Sequence, residues 1–303
     1  MPENPGYVAA EARVFASYAL SPTIHMLALP RLRLRVVEVG VGEPVVFLHG
    51  FGHCTAHWAP LVSRLSGMRS LMLDAPGHSA ADAVDFNDVD LRAWYKDMLT
   101  SCLDALGIEQ ARVIGHSQGA MQALWLAVDA PNRVRSVVAI GTPAVAFGAQ
   151  LDAMRFLARP AIGPLLFWLR MPPPAYRNIL AGTMGPAAVR AYPDLVHTTY
   201  LATHRAGYPK TVSSYLREMF RGADAEPRRY ALSDAELRRL NQPALVLWGE
   251  DDTHFQPIEG AKARAALLPH SRFELVCGGH EPWLYDLDAC ASLIAAFQVG
   301  HAG

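Results

Sequence analysis

Six short, almost unbroken apolar runs constrain this chain more than any other feature of its sequence. They cover residues 45–48, 70–73, 112–115, 137–140, 244–248 and 273–276. Runs this short, without polar alternation, suit strands buried on both faces, as in a parallel sheet. Helical patterns lie between them, at residues 90–106, 118–128, 258–268 and 288–297. In the first of these, Leu91, Trp94, Met98, Cys102 and Leu106 fall near helical spacing. Strand–helix alternation predicts an α/β fold with right-handed crossovers. Two more extended stretches, 24–29 and 31–39, precede the runs. The second alternates, with Leu32, Leu34 and Val36 on one side and Arg31, Arg33 and Arg35 on the other. That is the period of a half-exposed antiparallel strand, and it brings the sheet to about eight strands. Residues 7–20 read as an amphipathic helix with Val8, Ala12, Phe15 and Ala19 on one face.

The rhythm stops after Gly141 and resumes at Gln242. A connection of about 100 residues is rarely loop, and this one is helical in flavour and rich in proline and aromatics. Residues 144–240 are therefore expected to form an inserted helical lid on a core made of 1–143 and 241–303. The lid offers Phe147, Phe156, Leu165, Phe167 and Trp168 to an apolar pocket or to its own packing.

Composition narrows the class. Hydrophobic residues make up 51% and charged residues 18%, which excludes a disordered chain. Lys+Arg is 27 against 28 Asp+Glu, so the basic surplus of a nucleic-acid binder is missing. Cys54, Cys102, Cys277 and Cys290 show no zinc-site spacing and read as reduced thiols. The start, Met-Pro-Glu-Asn-Pro-Gly, lacks the basic segment of a secretion signal. No apolar run approaches the ~18 residues of a membrane span. The expectation is a cytoplasmic protein acting on a small molecule, with neither a nucleic-acid nor a membrane partner and with no metal or cofactor.

Gly115-His116-Ser117-Gln118-Gly119 matches G-x-S-x-G, after an apolar strand and before a helix. A sharp strand-to-helix turn projects such a serine above the sheet, in a strained backbone with small neighbours. The serine is a weak nucleophile until a base takes its proton. An acyl-transfer site also needs two donors for the oxyanion. The N–H of Gln118, next after the serine, is one candidate. The main chain of Phe51, in the loop His49-Gly50-Phe51-Gly52 after an earlier strand, is the other. On this arrangement the acid and then the histidine follow the serine in the chain. Gly249-Glu250-Asp251-Asp252 follows the apolar run 244–248 and supplies acid candidates. His280 lies just past the run 273–276, behind Gly278-Gly279, whose glycines let the loop bend toward the serine.

These segments, with Asp74-Ala75-Pro76-Gly77-His78, resemble the α/β-hydrolase superfamily, of the lid-bearing serine hydrolase type. The resemblance runs from about Ile24 to Phe297. It implies a Ser117–Asp252–His280 triad, with Asp251 as the competing acid, and an oxyanion hole from the Phe51 and Gln118 amides. Ser79 departs from the pattern, where the family often has glycine. The implied activity is cleavage of a carboxylic ester, lactone or thioester of a small, largely apolar molecule through an acyl-enzyme. Carbon–carbon bond hydrolysis of a vinylogous diketone competes, with Arg177 or Arg190 as the partner of a substrate carboxylate. A non-catalytic ligand receptor on the same fold is the other alternative. Enzymes of the superfamily that use an aspartate at the Ser117 position, the dehalogenases and epoxide hydrolases, fit less well. Candidate pocket residues are His53, Trp58, His116, Trp168, His254 and Trp283. Trp58 equally fits packing of the first helix after the oxyanion loop, and Trp283 packing of the last helix.

Overall fold

The computed structural model describes residues 4–146, 150–160, 162–169, 171–221 and 231–300. Among these, eight strands form one sheet: β1 (Thr23–Ala28), β2 (Arg33–Val39), β3 (Glu43–Leu48), β4 (Met68–Leu73), β5 (Ala111–His116), β6 (Val134–Ile140), β7 (Ala244–Gly249) and β8 (Ser271–Val276). The order is β1-β2-β4-β3-β5-β6-β7-β8. β1–β2 and β2–β4 are antiparallel pairs, and the remaining pairs are parallel. All six apolar runs lie in the parallel part of the sheet, but β8 is its edge and Leu275 is exposed there, so burial on both faces does not extend to the last run. Successive residues point to opposite faces, so the central strands feed two cores. Val46, Leu48, Val113, Val137 and Val246 enter one; Val45, Phe47, Ile114, Val138 and Leu247 enter the other.

The core helices are α1 (Pro5–Ser17), α2 (Ala59–Val62), α3 (Leu91–Ala105) and α4 (Gln118–Asp129) before the insertion. Within the insertion lie α5 (Gln150–Leu157), α6 (Gly163–Trp168), α7 (Pro173–Thr183), α8 (Pro186–Ala191), α9 (Pro193–Thr203), α10 (Tyr208–Met219) and α11 (Asp234–Arg239). α12 (Ile258–Ala265) and α13 (Leu287–Val299) follow β7 and β8. α3, α4 and α10–α12 share the first core, while α1, α2, α7–α9 and α13 share the second. The insertion is therefore helical and is packed into both cores. Phe147 lies outside the described residues. Among the described residues no helix is long and apolar enough to cross a membrane, and the four cysteines are free thiols.

Two sequence expectations are corrected at the amino-terminal end. Arg35 does not face solvent: it is 1% exposed. It forms ion pairs with Glu11 on α1 and with Asp74 beyond β4, the latter at 3.4 Å, and lies over the Tyr7 ring. α1 buries Tyr7, Ala10, Glu11, Val14 and Phe15, while Val8 is exposed. The buried stripe is centred on a carboxylate, because α1 lies across Arg35; a purely apolar stripe does not find that face. Glu11 also accepts hydrogen bonds from the Tyr7 hydroxyl at 2.7 Å and the Thr55 hydroxyl at 2.8 Å.

Removing one partner of a buried ion pair strands the other charge, at a cost of about 3–5 kcal/mol. Arg35 retains Asp74 when Glu11 is lost, so Glu11→Ala is expected at the lower end, about 3 kcal/mol. Urea unfolding of the variant measures this, and a loss below about 1 kcal/mol would show that the pair is not structurally important.

Candidate active site

β3 and β5 are neighbours whose following strands lie on opposite sides, β4 beyond β3 and β6 beyond β5. The crevice outside the carboxyl ends of such a pair is the usual ligand position of an open α/β sheet. The Ser117 elbow and the loop 49–52 both emerge there.

Ser117 has φ 52° and ψ −114°, a conformation that L-residues rarely adopt. The glycines on either side make it possible by being small. A Cβ on Gly115 would lie 2.5 Å from the Ala120 backbone, and one on Gly119 would lie 2.1 Å from the Leu48 carbonyl oxygen. The first turn of α4 thus rests directly on the end of β3. Ser117 N–H donates to the Ile140 carbonyl at 2.8 Å, tying the elbow to β6. Gln118 is the first residue of α4, so its N–H has no acceptor within the helix and is free for a ligand.

Gly141 follows Ile140 in a left-handed turn, and a Cβ on it would meet the His280 ring at 3.0 Å and Asp252 Oδ2 at 3.4 Å. The His280–Asp252 pair therefore lies against the turn to which the elbow is tied. His280 Nδ1–H donates to Asp252 Oδ2 at 2.8 Å, which leaves Nε2 as the basic nitrogen. Asp252 Oδ1 accepts the His254 N–H at 2.7 Å. Burial opposes ionisation of Asp252, but the His280 charge and the hydrogen bonds from His254 and His280 outweigh it. They hold the carboxyl well below the usual range. Asp251 is exposed, its N–H bonded to the Gly278 carbonyl. Of the two acids, only Asp252 meets His280.

The loop 49–52 is fixed by its own histidine. His49 Nδ1–H donates to the Gly50 carbonyl at 2.9 Å, and Nε2 accepts the Ala75 N–H at 2.9 Å. Phe51 stacks on Tyr215 of α10 with ring centroids 6.3 Å apart. Ser79 has φ 46°. Its turn requires the left-handed conformation that glycine adopts freely, and Arg205 clamps it by donating to the carbonyls of His78, Ser79 and Ala81.

The candidate pocket residues separate into three groups. His254 stacks on His280 at 4.3 Å and 10°, beside the candidate base. His116 and His53 are buried behind the site. His116 Nε2–H donates to the His280 carbonyl at 3.0 Å, and a Cβ on Gly50 would meet the Nδ1 atoms of His116 and His53 at 2.6 and 3.0 Å. The tryptophans are either packed in a core or face an outer groove. Trp58 and Trp283 stack on each other at 5.0 Å in the second core. Trp168 is 72% exposed and borders an outer groove of about 580 Å³ between α6 and α10, which none of Ser117, Asp252 and His280 lines. Arg177 and Arg190 are exposed as well. The sequence reading passed over Glu281, a fully buried carboxylate next to His280 that reaches His53 and His57. The available signal was a carboxylate directly after the candidate base and before Pro282-Trp283.

Burial lowers the pKa of His49, His57, His116 and His254, and takes His78 down to about 4. These imidazoles are neutral at pH 7. The unfolded chain binds a proton at His78 near pH 6.5 that the folded chain refuses until about pH 4. Stability is thus complete above about pH 6.5 and falls as the pH drops, by about 3 kcal/mol at pH 4 for His78 alone. In His78→Asn this part of the acid loss should disappear from urea unfolding curves taken across that window. An unchanged pH slope would contradict a neutral buried His78.

A family model described as the alpha/beta hydrolase fold matches residues 43–161. A 2-hydroxy-6-oxononadienedioate/2-hydroxy-6-oxononatrienedioate hydrolase of Paraburkholderia phymatum is 26% identical over 264 residues, covering 83% of this chain and 86% of that protein. A 2-hydroxy-6-oxo-6-phenylhexa-2,4-dienoate hydrolase of Burkholderia cepacia is 28% identical over 274 residues, covering 86% of this chain and 90% of the other. Among solved structures, the carboxylesterase CesB of Bacillus subtilis superposes with a TM-score of 0.77 at 18% identity, covering 97% of both chains. The 2-hydroxy-6-oxo-6-phenylhexa-2,4-dienoate hydrolase of Rhodococcus sp. strain RHA1 gives 0.76 at 19%, covering 92% of this chain and 99% of the other. With the sheet order, the elbow and these likenesses together, the chain has the α/β-hydrolase fold and is a hydrolase.

Proposed function

We propose that the protein hydrolyses a carboxylic ester, lactone or thioester of a small, largely apolar molecule, with Ser117 as nucleophile, His280 as base and Asp252 as its orienting acid. The observation that carries this reading is the buried His280–Asp252 pair, 2.8 Å apart, packed against the turn that anchors the Ser117 elbow. Ser117 Oγ attacks the acyl carbon while His280 Nε2 takes its proton, and Asp252 stabilises the imidazolium. The Gln118 and Phe51 amides receive the oxyanion. His280 returns the proton to the leaving oxygen or sulfur, and water, deprotonated by His280, releases the acid and regenerates the serine. No cofactor takes part in these steps. The helices of residues 144–240 act as the lid over Ser117.

An uncharged acyl group is favoured by the placement of the guanidinium groups. Arg177 and Arg190 are exposed, Arg205 is committed to three backbone carbonyls, and Arg35 is held by Glu11 and Asp74. Arg205 and Arg35 are therefore not available to a substrate carboxylate. The second reading, carbon–carbon hydrolysis of a dienoate, rests on the names of the relatives that align over most of the chain. The two are separated by comparing p-nitrophenyl esters with a 2-hydroxy-6-oxo-dienoate. Higher kcat/KM on the esters supports the first reading, and the reverse order supports the second.

Two variant results test the chemistry. A fluorophosphonate should add once to the wild type, seen by intact mass, and not to Ser117→Ala; an adduct on the variant would falsify Ser117 as nucleophile. Asp252→Asn is expected to lower kcat by roughly 10³–10⁴-fold, as loss of the orienting acid does in other triads. Asp251→Asn should stay within about twofold of wild type, because this exposed acid makes no contact with His280.

A further inference from the structure

Glu281 takes no part in the proposed reaction, yet it is 0% exposed. Its Oε2 accepts a hydrogen bond from His57 Nδ1–H at 2.8 Å. Its Oε1 lies 2.8 Å from His53 Nε2, a close electrostatic contact that is poorly aligned for a hydrogen bond. The two imidazoles belong to separate pieces of the site. His53 closes the loop 49–52, with its N–H bonded to the Gly50 carbonyl at 3.2 Å. His57 lies in the short turn Thr55–Trp58, and its Nε2 pairs with Thr199 Oγ1 of α9 at 2.7 Å. The Trp283 indole N–H donates to the His57 carbonyl at 3.0 Å, which closes the circuit back to the segment after His280. One carboxylate therefore joins the loop of the candidate base, the loop of the candidate oxyanion donor and a helix of the insertion.

Burial opposes ionisation of Glu281, but the electrostatic attraction of the two imidazoles and the His57 hydrogen bond hold its carboxyl well below the usual range. A buried carboxylate rarely adds net stability over an apolar replacement, whereas it does impose direction. Its two oxygens face two different rings, so neither loop can slide without breaking a contact. We propose that Glu281 is a positioning residue that, through His53 and His57, holds the His280 imidazole and the Phe51 amide in register across the acyl carbon. This rests on the reading of Ser117 as nucleophile. Misplacing reacting groups by about 1 Å costs on the order of 10² in rate, which sets the size of the expected effect.

The test is kcat per fluorophosphonate-titrated serine on a p-nitrophenyl ester, with KM and the Ki of phenylboronic acid, whose serine adduct needs both the base and the oxyanion donors. Glu281→Gln is expected to lower kcat per site by about 10–100-fold. KM should stay within about twofold, and boronate binding should weaken along with kcat. Glu281→Asp, which keeps the charge on a shorter stem, should recover part of the loss. If Glu281→Gln fails to fold, His57→Gln breaks the bridge from Glu281 to Thr199 and should give the same split between kcat and KM. A loss seen only in KM, or only in the fraction of titratable sites, overturns the proposal. The donor atoms of His53, His57 and Glu281 lie within 4.8 Å of one another. A stoichiometric metal in the wild type that disappears in Glu281→Gln would make these side chains ligands and would overturn it as well. A labelled wild type with an unimpaired Glu281→Gln defeats this proposal alone. A wild type that takes up no fluorophosphonate defeats the Ser117 reading and this proposal with it.

Discussion

The site depends on how closely the first turn of α4 approaches the end of β3. The Gly119 Cα has so little clearance that one added carbon would sit 2.1 Å from the Leu48 carbonyl oxygen. Gly115, on the other side of the elbow, is crowded by the Ala120 backbone in the same way. These contacts bring the amino end of α4 beside the loop after β3, so that the Gln118 N–H and the loop 49–52 share one crevice. They also hold Ser117 in its left-handed conformation, since a strained residue persists only where its surroundings over-determine it. The outer glycines of the motif are thus steric requirements of the approach, and the chemistry falls to the residues between and beyond them.

Around that approach the protein has gathered buried imidazoles rather than apolar side chains. A neutral imidazole donates at one nitrogen and accepts at the other from a rigid ring, without the cost of burying a charge. His49 uses both: it donates to Gly50 and accepts from Ala75, fixing the loop 49–52 to the segment after β4. His116 donates to the His280 carbonyl and fixes the elbow to the loop of His280. The two carboxylates act differently. Asp252 orients the ring of His280, and Glu281, one residue on, turns away to hold His53 and His57. Consecutive residues thus tie the same loop to β7's loop on one side and to the amino-terminal loops on the other.

What the sequence made legible was local. The apolar runs, the helical periods, the elbow and the loop of His280 are patterns of neighbouring residues, and each lies in the structure where its pattern places it. What escaped depends on contacts across the fold. Arg35 looks like the polar face of a strand until α1 brings Glu11 over it, and the buried face of α1 looks wrong until Arg35 explains its carboxylate. Trp168 looks like part of an apolar ligand pocket, and it stands exposed on α6 at a groove that Ser117, Asp252 and His280 do not line. Ser79 departs from the superfamily pattern, and the structure shows why glycine suits the position: its φ is 46°.

The insertion is not an independent lobe, and this bears on how a substrate reaches Ser117. α10 packs Tyr208, Val212, Tyr215 and Leu216 into the same core as α3 and α4. Its hydroxyls and carboxylate also cap the segment after β4: Thr211, Ser214 and Glu218 accept the N–H groups of Val84, Phe86 and Asp88. Swinging α10 outward would break these bonds, strand the buried Phe86 amide and expose an aromatic cluster, which is costly on both counts. α6 packs on α10 through Phe167, which meets the Tyr208 ring, and leaves Leu165, Leu166 and Trp168 exposed. α10, with Tyr215 stacked on Phe51, therefore stays fixed beside the loop 49–52.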